Sequence, residues 1–235
     1  MYKPEFLEEL QSTKRNYYIE CHNLINELID ISEKVGGDAG EHLKFGVSRR
    51  LSILAESLNA LFELTPPDLS ESAEREKRNL ADAHLHAFLI NVSGIIDNMA
   101  WSIVYHYKLD AVAKRKHEVG LFHTKFKTHL PQLTKGKVAE FKEWYDFLVS
   151  QRHPTAHRIP PYIIPYIETT EDAARDFTPM YIHSHKDGKI VFLHSQLICD
   201  LGAVLELTKV LISDIRESYA YKRFKTDSQR SAVLV

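Results

Sequence analysis

Within ten residues, Arg152-His153-Pro154-Thr155-Ala156-His157-Arg158-Ile159-Pro160-Pro161, the chain offers a rigid cation and two rings able to exchange protons. A guanidinium suits phosphate, and the unperturbed imidazole pKa of about 6.5 allows proton transfer near neutrality. Metal-free cleavage of RNA needs a base for the 2′-hydroxyl, an acid for the leaving 5′-oxygen and a cation for the phosphate. His157 suits either proton transfer, Arg152 suits the phosphate, and His153 can assist or orient its neighbours. One chain supplies one clear proton-transfer histidine where the reaction is best served by two. A two-fold dimer would unite two copies of the segment, so this chemistry predicts a homodimer with the site at its interface. Two plainer readings stand beside it. With 13 histidines in the chain an Arg and a His meet by chance, and Arg152 can serve as a core ion-pair partner of Asp146 or Asp97.

The element carrying the segment is expected to be a helix over residues 137–152, with Phe141, Tyr145, Leu148 and Arg152 on one stripe. An arginine ending an apolar stripe points to a core or an interface and needs an anionic partner there. Pro154, Pro160, Pro161 and Pro165 argue against regular helix beyond it and predict a rigid, extended passage through Tyr162, Ile163, Ile164 and Tyr166. Upstream, residues 80–107 are apolar almost all round and read as the central helix. Its polar residues His84, Asn91, Asn98 and Tyr105 recur every seven positions, near one line, with Ser102 one turn beyond Asn98. They serve either as hydrogen-bonding partners of neighbouring helices or, at Asn91 or Asn98, as groups facing Arg152.

The remaining chain reads as helices with one interruption. Phe6, Leu10, Tyr17, Cys21, Leu24, Leu28, Ile31 and Val35 form an apolar stripe ended by Gly36-Gly37. Asp38 and Glu41 resemble a capping box opening a second helix, which Thr65-Pro66-Pro67 stops, so the pair should form a helical hairpin. A short helix is expected around 121–130. Residues 180–185 and 189–194 read as a β-hairpin turning at Asp187-Gly188, which would set His183, His185 and His194 on one face. Three histidines there could hold a metal, but no carboxylate stands at a fixed spacing, and no metal site or cofactor is expected. Ser195 reads as the cap of the last strong helix. The expectation is an all-α bundle of about five to six helices with a small β-hairpin insertion near residues 180–194. A single domain spans 1–221, with the proline-rich passage and hairpin at 160–195, and residues 222–235 form a loose basic tail.

Composition narrows the partners. At 235 residues and 44% hydrophobic content one sizeable core is affordable. Net charge is −2, yet residues 108–137 hold eight Lys or Arg against two acids. That stretch is either a solvated face or a set of phosphate contacts, with Lys125, Lys127 and Arg158 as candidate substrate-binding cations beside Asn98. The longest apolar run, near residues 87–96, is broken by Asn91, Ser93 and Gly94, so no membrane span is expected. The N-terminus lacks the pattern of a secretion signal, which predicts a cytoplasmic location. Cys21 and Cys199, far apart within apolar stripes, read as reduced, buried thiols. Repeats, a phosphate-binding glycine loop, zinc-type cysteine pairs and a nucleophile elbow are absent from the sequence.

In this helical setting Arg152, a polar His153, three further residues and His157 resemble the R-x(4–6)-H signature of the HEPN superfamily. The resemblance implies a helical bundle, frequently dimeric, and for many members metal-independent endoribonuclease activity in toxin–antitoxin, phage-defence or RNA-processing systems. It implies that Arg152 and His157 are the catalytic pair and His153 the supporting polar residue, with RNA as substrate and an antitoxin or partner protein as a companion. Other members of the superfamily are noncatalytic modules that bind RNA, nucleotide or protein.

Overall fold

The stripe beginning at Leu10 builds one long helix, α1 (Pro4–Val35), with Leu10, Cys21, Leu24, Leu28 and Ile31 buried. Gly36 and Gly37, at φ of 65° and 54°, take backbone angles other residues rarely adopt and turn the chain back. The computed structural model describes residues 2–168, 175–183 and 189–233, with side chains through residue 220. The return arm is α2 (Gly37–Glu41), a π-helical turn (His42–Val47) and α3 (Ser48–Leu64), which packs on α1. The expected capping box is not made. Gly36 occupies the cap position and no side chain bonds there, because the glycine turn already places Asp38 inside the first helical turn.

The most apolar segment forms α4 (Arg75–His106), which buries Leu85, Phe88, Leu89, Val92, Ile95, Ile96, Met99 and Ile103. It packs against the π-helical turn, α3 and the two helices after it that matter most for the site. By length and composition it could cross a membrane, but most of its apolar window is buried within the fold. A short α5 (Asp110–Ala113) follows, and the helix expected at 121–130 shrinks to a single 3-10 turn at Phe126–His129. Where one helix was expected over 137–152 there are two, α6 (Gln132–Glu140) and α7 (Lys142–His157). The start of α6 is capped from far along the chain: the Asp214 carboxylate accepts from the Thr134 amide at 2.8 Å and the Thr134 hydroxyl at 2.7 Å. No local pattern signals a cap that arrives from 80 residues away.

The chain after α7 is extended, as the prolines require. β1 (Tyr162–Ile164) pairs antiparallel with β4 (Met180–Ile182), which pairs with β5 (Val191–Phe192), while β2 (Ile167–Glu168) and β3 (Arg175–Asp176) form a separate ladder. The hairpin register differs from that expected. A two-residue turn at Asp187-Gly188 would set Tyr181 opposite His194, whereas it lies opposite Val191. His185 and the turn itself fall outside the described residues. His194 belongs to the last helix, α8 (Leu193–Val233), which starts two residues before the expected Ser195 cap. The Ser195 hydroxyl instead donates to the Tyr2 hydroxyl at 3.2 Å. Helical backbone continues through residues 222–233, where a loose tail was expected. Cys21 is buried but Cys199 is exposed, since it lies two residues from both Leu197 and Leu201 and so leaves their buried stripe. The whole is an all-α bundle with a small antiparallel β insertion.

Two buried ionisable groups on α8 couple this core to pH. Asp200 lies beneath α7, where its Oδ1 accepts from Trp144 Nε1 at 2.8 Å and Gln196 Nε2 at 2.7 Å. Burial outweighs these bonds and pushes its carboxyl up to about 7. His194, edge-on to Phe62 at 4.5 Å, faces the Leu61 and Thr65 carbonyls outside hydrogen-bond geometry, and burial pushes it down to about 3. The signs oppose. The raised Asp200 pKa favours the folded state fully below pH ~4 and loses that contribution as pH rises to about 7, at roughly 1.4 kcal/mol per pH unit. The depressed His194 pKa costs stability as pH falls from about 6.5 toward 3. Asn keeps the acceptor that Trp144 and Gln196 use, so Asp200→Asn is expected to match the wild type in thermal unfolding near pH 4 and to exceed it increasingly up to pH 7. A constant difference across that range would show that Asp200 does not titrate there.

Candidate functional site

The sequence places Arg152 on a helical stripe, and α7 carries it against α4. Its guanidinium is half-buried, its Nε is sequestered without a hydrogen-bond partner, and its electrostatic partner is Asp97 on α4. Of the two acids weighed for it, Asp97 is the one whose carboxyl it acts on, without a close ion pair among the described residues; Asp146 pairs with Lys142 at 2.5 Å, one helical turn away. Asp97 keeps an exposed edge, yet the surrounding walls raise its pKa, with Arg152 and Arg50 acting in the opposite direction. Two cations therefore flank one carboxylate on the outer face of α4.

α7 does not break at Pro154 but runs through it to His157. The proline leaves the Ser150 carbonyl without its helical donor, but Ser150 is exposed, so the loss falls where solvent is at hand. The Thr155 hydroxyl bonds the Gln151 carbonyl at 2.8 Å, and the Arg158 amide closes the last turn on the Pro154 carbonyl at 2.9 Å. His153 and His157, one turn apart, are both exposed, with ring centroids 5.2 Å apart. Arg158 is exposed just past the helix end. On a regular helix residues five apart diverge by about 140°, so Arg152 turns inward while His157 faces solvent.

The chain leaving the motif is held by side chains for which the sequence suggested no such role. His183 Nε2 meets Gln151 Oε1 at 2.9 Å and its Nδ1 the Ile159 carbonyl at 3.3 Å. His86 Nε2 meets the Pro161 carbonyl at 2.7 Å, and Asp82 accepts from the Ile163 amide, also at 2.7 Å. Burial lowers the His183 pKa, with His86 adding to the shift. Of the three histidines imagined as metal ligands, His183 is thus engaged with α7 and His194 is enclosed in the core. Among the described residues no three His, Cys, Asp or Glu side chains gather as a metal site would need.

The other expected substrate contacts lie elsewhere. Lys125 is 2.6 Å from Glu118, which Arg115 also binds at 2.8 Å; these contacts hold the Glu118 carboxyl below its usual range. The basic stretch therefore folds partly around its own acid. Lys127 is half-buried in the adjoining 3-10 turn. Asn98 faces the π-helical turn, not Arg152: its Oδ1 meets His42 Nδ1 at 2.9 Å and its Nδ2 donates to the Gly94 carbonyl at 2.7 Å. Asn91 accepts from Arg50 at 2.7 Å and donates to the Ala87 carbonyl at 2.7 Å.

These asparagines line a cleft of about 420 Å³ between the π-helical turn, α3 and α4. Sequence reading missed its chemical content: Phe45, Arg49 and Arg50 beside His42. The available signal was the i,i+4 spacing of Phe45 and Arg49 off the buried Leu43–Val47 stripe. The Arg49 guanidinium sits 4.4 Å over the Phe45 ring, and His42 stacks near Tyr105 and Trp101 at 5.5 and 6.3 Å. π-Helical turns are frequent at functional sites. No family model, curated protein or solved structure matches the chain.

Two glycines set the width of this cleft. A methyl on Gly46 would overlap the Asn98 side chain, and one on Gly94 would lie 2.5 Å from Arg50 Cζ. Gly46→Ala is expected to destabilise by about 1–3 kcal/mol in denaturant unfolding, because the clash is with a side chain bonded at both ends. Gly94→Ala should cost less, since the clash is with the far end of a long side chain, which the new methyl would push off its one hydrogen bond to Asn91. Equal losses for the two would remove this account.

Proposed function

We propose that the chain is a metal-independent endoribonuclease of HEPN type that works as a homodimer. The observation that carries the reading is the pairing, on the last two turns of α7, of an inward Arg152 whose Nε has no hydrogen-bond partner with outward, solvent-accessible His153 and His157. The Nε itself is enclosed, but the rest of this half-buried guanidinium makes no close ion pair among the described residues and so favours an anion able to reach it. In the reaction one His157 takes the proton from the RNA 2′-hydroxyl as that oxygen attacks phosphorus. The bond to the 5′-oxygen breaks, the second copy's imidazole protonates that leaving oxygen, and a 2′,3′-cyclic phosphate remains. Arg152 offsets the charge that builds on the phosphoryl oxygens. His153, one turn from His157, orients it. The dimer supplies the second proton-transfer group that one chain lacks.

A second reading is a noncatalytic HEPN-like module that binds RNA, nucleotide or a partner protein such as an antitoxin. It is favoured by the divergence of Arg152 and His157 around one uninterrupted helix, which keeps them apart within a single copy. Cleavage of end-labelled RNA in EDTA separates the two. On the ribonuclease reading the wild type leaves cyclic-phosphate ends, and Arg152→Ala and His157→Ala each lower the rate at least a hundredfold. The protein should also sediment as a dimer. Unchanged cleavage in either variant would sink the assignment, and RNA binding without cleavage by the wild type would establish the second reading.

A further inference from the structure

We propose that the outer face of α4 is a track for single-stranded RNA, in which the cleft at the π-helical turn holds one unstacked base and its phosphate while the strand runs on toward Arg152. The proposal deepens the ribonuclease reading and rests on it for the identity of the ligand.

Three observations converge. The cleft combines an open aromatic surface with cations: Phe45 is 48% exposed, and its ring has the Arg49 guanidinium over it at 4.4 Å. A flat ring and a flat cation at a groove edge are sequence-tolerant stacking partners for a base. Second, Arg50 is held in place before any ligand arrives. It lies across Gly94, where only a glycine leaves room, and bonds Asn91, itself tied to the Ala87 carbonyl. Such a fixed guanidinium binds a phosphate without first losing its own freedom. Third, the cleft and the Arg152 motif share one face of α4. Asp97, one turn beyond Gly94, feels both Arg50 and Arg152, and one turn further Trp101 and then Tyr105 continue the face as rings stacked with His42.

The shape selects the strand. A cleft of about 420 Å³ admits a nucleotide unit but not a duplex, whose bases are stacked inside and whose grooves are read by longer surfaces. Asp97 has a role of its own here. Its carboxylate acts on both arginines, so it opposes a phosphate backbone drawn to them until the strand's own charge replaces it.

Fluorescence anisotropy with a labelled ten-nucleotide 2′-O-methyl oligouridine tests the track, because that strand lacks the attacking hydroxyl and is read for binding alone. Phe45→Ala and Arg49→Ala are each expected to weaken binding about tenfold, Asp97→Asn to tighten it severalfold, and a duplex of equal length to compete poorly. Both Phe45 and Arg49 are exposed, and circular dichroism of each variant checks that the fold is kept. Wild-type affinity in both variants, equal competition by duplex, or no binding by the wild type would overturn the proposal. So would a change in dimerisation at unchanged RNA affinity, which would make the cleft a contact between copies. Binding through Phe45 and Arg49 without cleavage of ordinary RNA would leave the track standing and remove the ribonuclease. Cleavage that both variants retain at unchanged binding would do the reverse.

Discussion

Nearly every element near the candidate site is tied to α4 by one of its own polar side chains, and that obligation organises the rest of the structure. A helix buried over most of its surface cannot leave a polar group unsatisfied without a cost of about 1–3 kcal/mol. Several of its polar groups therefore find partners on neighbouring elements, while the buried Ser102 hydroxyl bonds back to the Met99 carbonyl of α4 itself. Asn98 meets the π-helical turn, Asn91 meets α3, Asp82 and His86 hold the strand passage, and His106 reaches Ser218 of α8 at 3.2 Å. The apolar residues between these groups supply the bulk of the burial, while the polar ones decide which face of each neighbour is presented.

The same arrangement produces the charge pattern of the outer face. α3 and α7 both pack on α4, each contributing an arginine, and Asp97 is the carboxylate both of them act on. Neither arginine is spent in a close ion pair with it among the described residues. Arg50 is anchored through Asn91 and Gly94, and Arg152 has its Nε turned into the protein. Cations positioned but incompletely neutralised are what a polyanion requires, whereas the exposed pairs Lys142–Asp146 and Lys137–Glu140 are ordinary surface contacts of little energetic weight.

Much of the architecture was readable because it depends on local periodicity. The stripe from Leu10 to Val35, the glycine stop, the apolar α4 and the extended passage after the prolines all follow from side chains three, four or two positions apart. The failures have two causes, partners distant in sequence and a competing local signal. The cap of α6 comes from Asp214, the hairpin strand β4 pairs with β1 as well as with β5, and the apparent capping box at Asp38 lost to a glycine turn one step earlier. Pro154 misled for a related reason. A proline removes one bond, but the Thr155 hydroxyl adds one to the Gln151 carbonyl and the exposed Ser150 carbonyl loses little.

For the site, the residue types Arg152, His153 and His157 and the helical stripe leading to Arg152 were legible in the sequence, because composition and spacing within one helix are local properties, whereas the run of that helix through Pro154 to His157 was not. The seven-residue line of polar groups on α4 likewise announced that its neighbours would be polar-tethered. Which partner each found was decided only by tertiary structure: Asn98 turned to His42 and not to Arg152, the exposed Lys125 paired with Glu118, and Arg152 came to act on the Asp97 carboxyl. Arg50 and Phe45 joined the picture only when α3 was laid on α4. The physical reason is that a side chain's partner depends on how helices distant in sequence cross, and that crossing is fixed by the summed packing of the core rather than by any short segment.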